Sequence, residues 1–150
     1  MNNEKKKKTL IYKNLGFPIR LINAPMRKVY GQWVFDFSMG VFQEIVLQML
    51  ATKSVQLNGP ELMFIINYFE FSYRQFAKLL GVSHGAVMKW VNETSKMNIH
   101  TEVSLRLYIL NHLKVSDKEF RNYYLELSRQ NFHREDAGEL LDLDLDQITC

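Results

Sequence analysis

The chain has 150 residues, of which 47% are hydrophobic and 23% are charged, and its formal net charge is +3. This composition excludes a disordered chain and is typical of a globular protein with one core, or a main core and a small appended lobe. No apolar run approaches the roughly 20 residues that a membrane span requires, which excludes an integral membrane protein. The only cysteine, Cys150, excludes intrachain disulfides and cysteine-rich zinc sites. We therefore expect a cytoplasmic protein without a signal peptide.

The charge is unevenly distributed. Six of the sixteen acidic residues follow Arg134, which is the last basic residue. The residues up to Arg134 therefore hold all nineteen bases and only ten acids. A body of this charge attracts polyanions through its electric field, although charge alone does not identify a specific function.

The first half of the chain predicts an arm followed by a small lobe. Lys5 to Lys8 form an unbroken basic run, which predicts a basic flexible arm over residues 1–9, either a solvated tail or a phosphate-binding segment. Residues 10–57 predict a lobe for dimerisation or partner binding, made of a small antiparallel β-meander and one helix. Its predicted elements are strands at Pro18–Ile22, Met26–Tyr30 and Trp33–Phe37, a turn at Asn23–Pro25, and a helix at Val41–Ala51.

The second half of the chain has helical periodicity. We predict a five-helix domain over residues 58–130, with helices at Glu61–Phe69, Ser72–Leu80, Ser83–Asn92, Thr101–Leu113 and Ser116–Ser128. The acidic tail, residues 131–150, alternates leucine and aspartate, and three interpretations stay open: an edge strand, an interaction motif or a solubilising tail. The predicted fold class is α+β, mainly α, with a five-helix bundle preceded by the β-meander and its helix.

Residues 73–90 fit a helix-turn-helix motif. Gly81 permits a sharp left-handed turn between two helices, and Ser83 is suited to cap the second one. Apolar residues that point to a shared core are Phe76, Leu80, Val82, Val87 and Trp90. The positions left outside on the second helix are Ser83, His84, Gly85, Met88 and Lys89.

These outward residues suit a helix that enters DNA. A slim N-terminal turn fits a major groove about 12 Å wide and directs free amides at phosphate. His84 is expected at a purine edge, Met88 against a thymine methyl and Lys89 at a phosphate. Gly85 lowers helix propensity by roughly 1 kcal/mol relative to alanine, which favours close backbone approach. Two alternatives stay open: Ser83 caps its helix, contacts phosphate or does both, and His84 is a DNA contact or an ordinary surface histidine.

The stretch "ELMFIINYFEFSYRQFAKLLGVSHGAVMKWVN" resembles the Xre, or lambda-repressor-like, helix-turn-helix family. The resemblance covers residues 60–113 and implies five helices, a homodimer and an inverted-repeat operator on double-stranded DNA. Tyr73 and Val91 depart from the family, in which many members have a phosphate-binding glutamine and a glutamate at these positions. Candidates for contacts to the DNA backbone are Tyr73, Arg74, Gln75, Lys78 and Lys96, together with Lys53 and the lysines of the arm.

A second resemblance concerns the first lobe. The segments "GFPIRLINAPMRKVYGQWVFDF" and "LNGPELMFII" are similar to MqsA-type antitoxins, in which a toxin-binding domain precedes an Xre-like domain. The paired zinc-binding cysteines of those proteins are absent, so no metal or other cofactor is expected. We predict a DNA-binding repressor at the nucleoid, set in an autoregulating toxin–antitoxin system with a toxin as partner. The alternative is a protein-interaction module or a stand-alone phage-type regulator. An enzyme is not expected, because the chain has no glycine-rich phosphate loop and no nucleophile motif.

Overall fold

The computed structural model describes residues 4–129 and 140–147. Within these residues the chain is α+β, as predicted, with four strands and six α-helices. It divides into two compact units, one made of residues 1–42 with 138–150 and the other of residues 43–137. These limits differ from the predicted boundaries after residues 9, 57 and 130. None of the helices in the described part of the chain has the length and apolar character to cross a membrane.

The first unit contains a four-stranded sheet built around β2. The strands are β1 (Lys5–Tyr12), β2 (Ile19–Val29), β3 (Gln32–Phe35) and β4 (Leu141–Asp144). One edge of β2 pairs antiparallel with β1. Its other edge pairs antiparallel with β3 and, at the opposite end, parallel with β4. Ile19 and Leu21 are fully buried on one face of this sheet, which places a small apolar core there.

The predicted turn at Asn23–Pro25 is wrong, because β2 runs through it. Two residues of β2, Ile22 and Asn23, lie opposite the single residue Thr9, so the strand contains a β-bulge. Asn23 takes a left-handed φ of 57° there, and its N–H donates to Thr9 Oγ1 at 3.3 Å. Pro25 lies between the stretch that pairs with β3 and the stretch that pairs with β4. Proline has no N–H to donate, and it is tolerated there because neither β3 nor β4 pairs with residue 25 on that edge.

Both charged ends of the chain join the sheet. The predicted flexible arm over residues 1–9 is wrong from Lys5 onward, because Lys5 to Lys8 pair with β2 as part of β1. Of the three interpretations of the acidic tail, the edge strand is correct for Leu141–Asp144, where Leu143 is buried. Of the rest of the predicted tail, residues 131–139 and 148–150 lie outside the described residues.

Ion pairs connect the acidic strand to the sheet. Asp142 lies 3.2 Å from Arg20, and Asp146, in a short 3-10 turn after β4, lies 2.6 Å from Lys7. The Asn23 amide also donates to Asp144 at 3.5 Å. Apolar burial on one face and charge pairing on the other therefore explain why this leucine–aspartate alternation forms a strand.

The helices are α1 (Met39–Thr52), α2 (Gly59–Tyr68), α3 (Tyr73–Leu80), α4 (His84–Val91), α5 (Ile99–His112) and α6 (Asp117–Arg129). Each helix predicted from periodicity is present, with its ends shifted by about two residues or fewer. The second unit is cored by residues from α2 to α5, including Ile65, Phe76, Val87, Leu105 and Ile109, all of which are fully buried. The helix-turn-helix segment, α3 and α4, packs against this core.

A buried ionic network anchors the segment between α1 and α2. The Arg106 guanidinium, fully buried on α5, donates to Glu102 at 2.7 Å, to the Val55 carbonyl at 2.7 Å and to the Lys53 carbonyl. Burial raises the pKa of Glu102, an effect that Arg106 opposes, and burial lowers the pKa of Arg106. Because neither charged group is hydrated, each one is stabilised by the opposite charge of the other.

One residue of this network had a different predicted role. Lys53 was expected to contact DNA phosphates, and that expectation is wrong. Its side chain is only 7% exposed, and its Nζ lies 2.5 Å from the equally buried Glu61. Lys53 therefore neutralises a buried carboxylate instead of extending to solvent.

Candidate nucleic-acid interface

The turn between α3 and α4 is a glycine-capped turn. Gly81 ends α3 with φ 68° and ψ 34°, in the left-handed region. The Val82 N–H then donates to the Ala77 carbonyl at 2.9 Å, which closes the end of the helix. Only Val82 and Ser83 follow before α4 begins, so the glycine sets one helix across the other, as the sequence indicated.

Serine side chains cap both helices. Ser72 Oγ accepts from the Gln75 N–H at 3.1 Å, and the Gln75 side-chain oxygen accepts from the Ser72 N–H at 2.8 Å. Ser83 Oγ accepts from the Ala86 N–H at 3.1 Å. The capping role of Ser83 is thus confirmed. Gln75 is also a predicted contact to the DNA backbone. Its side-chain oxygen is bound within α3, so only its side-chain NH₂ group is available to a phosphate.

The two faces of α4 differ sharply in burial. Val87 and Trp90 are buried against the core, whereas Leu80 and Val82, also predicted in the core, are only half-buried. All five predicted outward residues are exposed: Ser83, His84, Gly85, Met88 and Lys89. The start of α4 is therefore an accessible tip and is not packed inside its unit.

Gly85 is not required by the packing of this tip. A Cβ atom built at Gly85 would find only the Ser83 hydroxyl, at 4.0 Å. The backbone there is also helical, so an alanine is sterically acceptable within the protein. The absence of a side chain at Gly85 leaves space on the exposed side of the tip.

The starts of α3 and α4 lie side by side. The rings of Tyr73 and His84, the first residues of the two helices, have centroids 6.2 Å apart. The Tyr73 hydroxyl lies 3.7 Å from Met63 Sδ, so in this structure it is directed toward a neighbouring helix. Each helix N-terminus carries a partial positive charge and free N–H groups, so the two ends together favour an anion in front of them.

The segment that contains these helix ends is basic and exposed, with Arg74 in the first turn of α3 and Lys78 and Lys89 in the last turns of α3 and α4. Residues 71–96 contain four bases and one acid. The bases, Arg74, Lys78, Lys89 and Lys96, are all exposed. The single acid, Glu93, accepts a hydrogen bond from the Gly59 N–H at 3.0 Å, which occupies its carboxylate within the fold.

The contact between Gly59 and the end of α4 was missed by the sequence reasoning. A Cβ at Gly59 would lie 2.3 Å from the Val91 carbonyl oxygen, so α2 begins in direct backbone contact with α4. The sequence did contain an indication of this contact. Gly59 precedes Pro60 at the start of a helix, where alanine or serine would serve the helix as well as glycine does. This contact and the Glu93 bond fix the far end of α4 and so hold its tip in place.

Comparisons with family models, with curated proteins and with solved structures found no match to this chain. Among the described residues, no three histidine, cysteine, aspartate or glutamate side chains come together in a way that would hold a metal ion. Function is therefore inferred from the geometry of the tip and its charges.

Proposed function

We propose that this protein binds double-stranded DNA in a sequence-specific manner by placing the tip of α4 in the major groove, and that it represses transcription by occupying a promoter. The observation that carries the proposal is the exposed tip, Ser83–Gly85, which lies next to the start of α3 and on a segment whose four bases are all exposed. Repression of this kind needs occupancy alone and no catalysis.

The residues divide into base contacts and backbone contacts. His84 and Met88 reach base edges, where an imidazole hydrogen-bonds a purine and a thioether packs on a thymine methyl. Lys89 and the free amides of α4 bind phosphate. Arg74, Lys78 and Lys96 add phosphate contacts on either side, which position the helix without reading sequence.

The same proposal includes a homodimer. Two copies that present their α4 tips about 34 to 36 Å apart would occupy successive major grooves of an inverted-repeat operator. The Xre-like, lambda-repressor-like arrangement of the five helices belongs to this proposal, as does its setting as an antitoxin that represses its own promoter and binds a toxin.

A mobility-shift assay with the DNA upstream of its own coding region tests the proposal. His84→Ala and Lys89→Glu are each expected to weaken binding, and Lys89→Glu to do so at every sequence. Lys118→Glu, at an exposed base on α6, is the matched control and is expected to change affinity little. Unchanged binding in both α4 variants would remove the proposed reading face.

One observation favours a protein partner as the alternative function. Tyr124 and Leu125, consecutive residues of α6, are 49% and 43% exposed, so two large apolar side chains lie at the surface of this helix. If this face is the main functional surface, Leu125→Glu will abolish association with a co-expressed partner while DNA binding is unaffected.

A further inference from the structure

The hairpin between β2 and β3 places a fully exposed tyrosine at its tip. Val29 pairs with Gln32, so Tyr30 and Gly31 form a two-residue turn, and both have positive φ, 49° and 77°. Turns of this type prefer Asn-Gly, because asparagine and glycine adopt left-handed backbone easily. Tyr30 is 102% exposed, so its ring is not buried by the fold. A large aromatic residue is therefore kept at a position where it strains the turn and does not pack.

Basic residues surround this tip. The adjoining segments, residues 4–8 and 27–36, contain six bases and two acids, and one of the bases, Lys7, pairs with Asp146 of the segment after β4. Lys6 Nζ lies 4.2 Å from the centroid of the Trp33 ring, and Lys28 Nζ lies 5.8 Å from it. The hairpin thus presents an aromatic tip on a positively charged ribbon.

The two acids of these segments, Glu4 and Asp36, form only weak ion pairs with the neighbouring bases. Lys28 lies 3.4 Å from Glu4, and Lys5 and Arg27 each lie 3.7 Å from Asp36. All of these pairs are well exposed to solvent, and exposed ion pairs are weak and exchange readily with other anions. A phosphate group can therefore take the place of either carboxylate.

We propose that the β2–β3 hairpin is a second DNA-contact surface, in which Tyr30 enters a groove of duplex DNA while Lys6, Arg27 and Lys28 bind the flanking phosphates. A two-stranded ribbon fits the major groove. Duplex DNA is favoured over single strands, because single-strand binding uses rows of free rings and Trp33 is covered by two ammonium groups. The choice of DNA rests on the proposed function of α4, whereas the surface itself rests on the geometry of the first unit alone.

Tyr30→Asn in the full chain separates binding from folding. Asparagine suits the left-handed turn, so the variant is expected to unfold at the same temperature as the wild type or a higher one. Its affinity for a labelled random-sequence duplex is expected to fall at least about threefold, as the loss of one groove contact. Tyr124→Asn, at another exposed tyrosine, is the control and is expected to bind as the wild type does. Unchanged affinity in the Tyr30 variant would overturn the proposal.

The charged part of the surface has its own readout. In Arg27→Gln/Lys28→Gln, the slope of log affinity against log salt concentration is expected to fall by about 2, for two lost phosphate contacts. The control, Lys114→Gln/Lys118→Gln, is expected to keep the wild-type slope. A wild-type slope in the hairpin variant would contradict the assignment of these bases to phosphate.

A crosslinking experiment locates the contact directly and separates the two proposals. A photoreactive benzoyl-phenylalanine at position 30 is expected to crosslink to the duplex, and the same group at position 124 is not. If crosslinking at position 30 persists while affinity is unchanged in both His84→Ala and Lys89→Glu, the α4 proposal fails and the hairpin proposal stands. If His84→Ala and Lys89→Glu weaken binding but position 30 gives no crosslink, the hairpin proposal fails alone. Preferential crosslinking to single-stranded DNA would overturn the choice of duplex.

Discussion

The ring of Tyr73 lies 6.2 Å from the ring of His84, which brings the first residues of α3 and α4 together on one surface. This relationship depends on the left-handed turn at Gly81, because that turn is what reverses the path of the chain between the two helices. The positive ends of two helices and an accessible tip are thereby combined in one place.

Gly85→Ala is expected to raise stability and to weaken DNA binding. A Cβ has open space at this position, and alanine improves helix propensity by up to about 1 kcal/mol. The same methyl group stands on the face that we propose approaches DNA. Urea unfolding and a binding titration on one preparation check both effects, and a variant that is more stable with undiminished affinity would show that close approach at Gly85 is not used.

Gly81→Ala is expected to lower stability by roughly 1 kcal/mol, because alanine is strained at φ 68°. Gly81→Asn is the matched comparison and should lose less, since asparagine tolerates the left-handed region. The measurement is the free energy of unfolding in urea. Equal losses in the two variants would mean that the turn does not depend on the backbone freedom of glycine.

Gly59→Ala is expected to destabilise the second unit by about 1–3 kcal/mol. Its Cβ would meet the Val91 carbonyl oxygen at 2.3 Å, so α2 and the end of α4 must separate. The control is Gly40→Ala, where the nearest atom is the Ser38 hydroxyl at 3.6 Å. Thermal unfolding that is unchanged in Gly59→Ala would contradict the close contact between α2 and α4.

Glu102→Ala is expected to lower stability by about 3–5 kcal/mol, because it leaves the fully buried Arg106 guanidinium without its carboxylate. Replacing both residues, in Glu102→Leu/Arg106→Met, is expected to be much less harmful, since no uncompensated charge is left. Urea unfolding of the single and double variants measures the difference. A double variant as unstable as the single one would show that the loss comes from packing or from the backbone hydrogen bonds of these two residues, and not from the unpaired charge.

Leu143→Asp is expected to release β4 from β2. The side chain is buried on the core face of the sheet, and a carboxylate there would be desolvated. Hydrogen exchange at the amides of residues 19–22 is the measurement, and faster exchange is expected at those N–H groups of this stretch that point to β4, while those that point to β1 stay protected. Asp144→Asn, a change of an outward residue of the same strand, is expected to leave exchange slow; slow exchange in both would contradict the pairing.

The local parts of this structure were predictable, because their determinants are close in sequence. The helix-turn-helix follows from the apolar period, from serine caps at positions 72 and 83, and from a glycine at position 81 whose φ is positive as expected. The outward residues of α4 follow from the same periodicity. Their exposure is observed, whereas their contact with DNA is still a prediction.

The sheet was predictable only in part, because its strands are created by pairing between distant residues. Lys5 to Lys8 have no apolar pattern, and they form a strand only because β2 offers an edge to them. Asn23–Pro25 has the composition of a turn, but pairing with β1 carries β2 through it with a bulge. β4 joins residues more than a hundred positions earlier, a choice of partner that local sequence does not contain.

The proposed function requires that the tip of α4 reads the DNA sequence. Its most direct test is to map the amide chemical shifts of the full chain during titration with duplex DNA from its own upstream region. The largest shifts are predicted at residues 83–89, with smaller ones at the start of α3. Large shifts confined to α6, with residues 83–89 unmoved at saturation, would contradict the account.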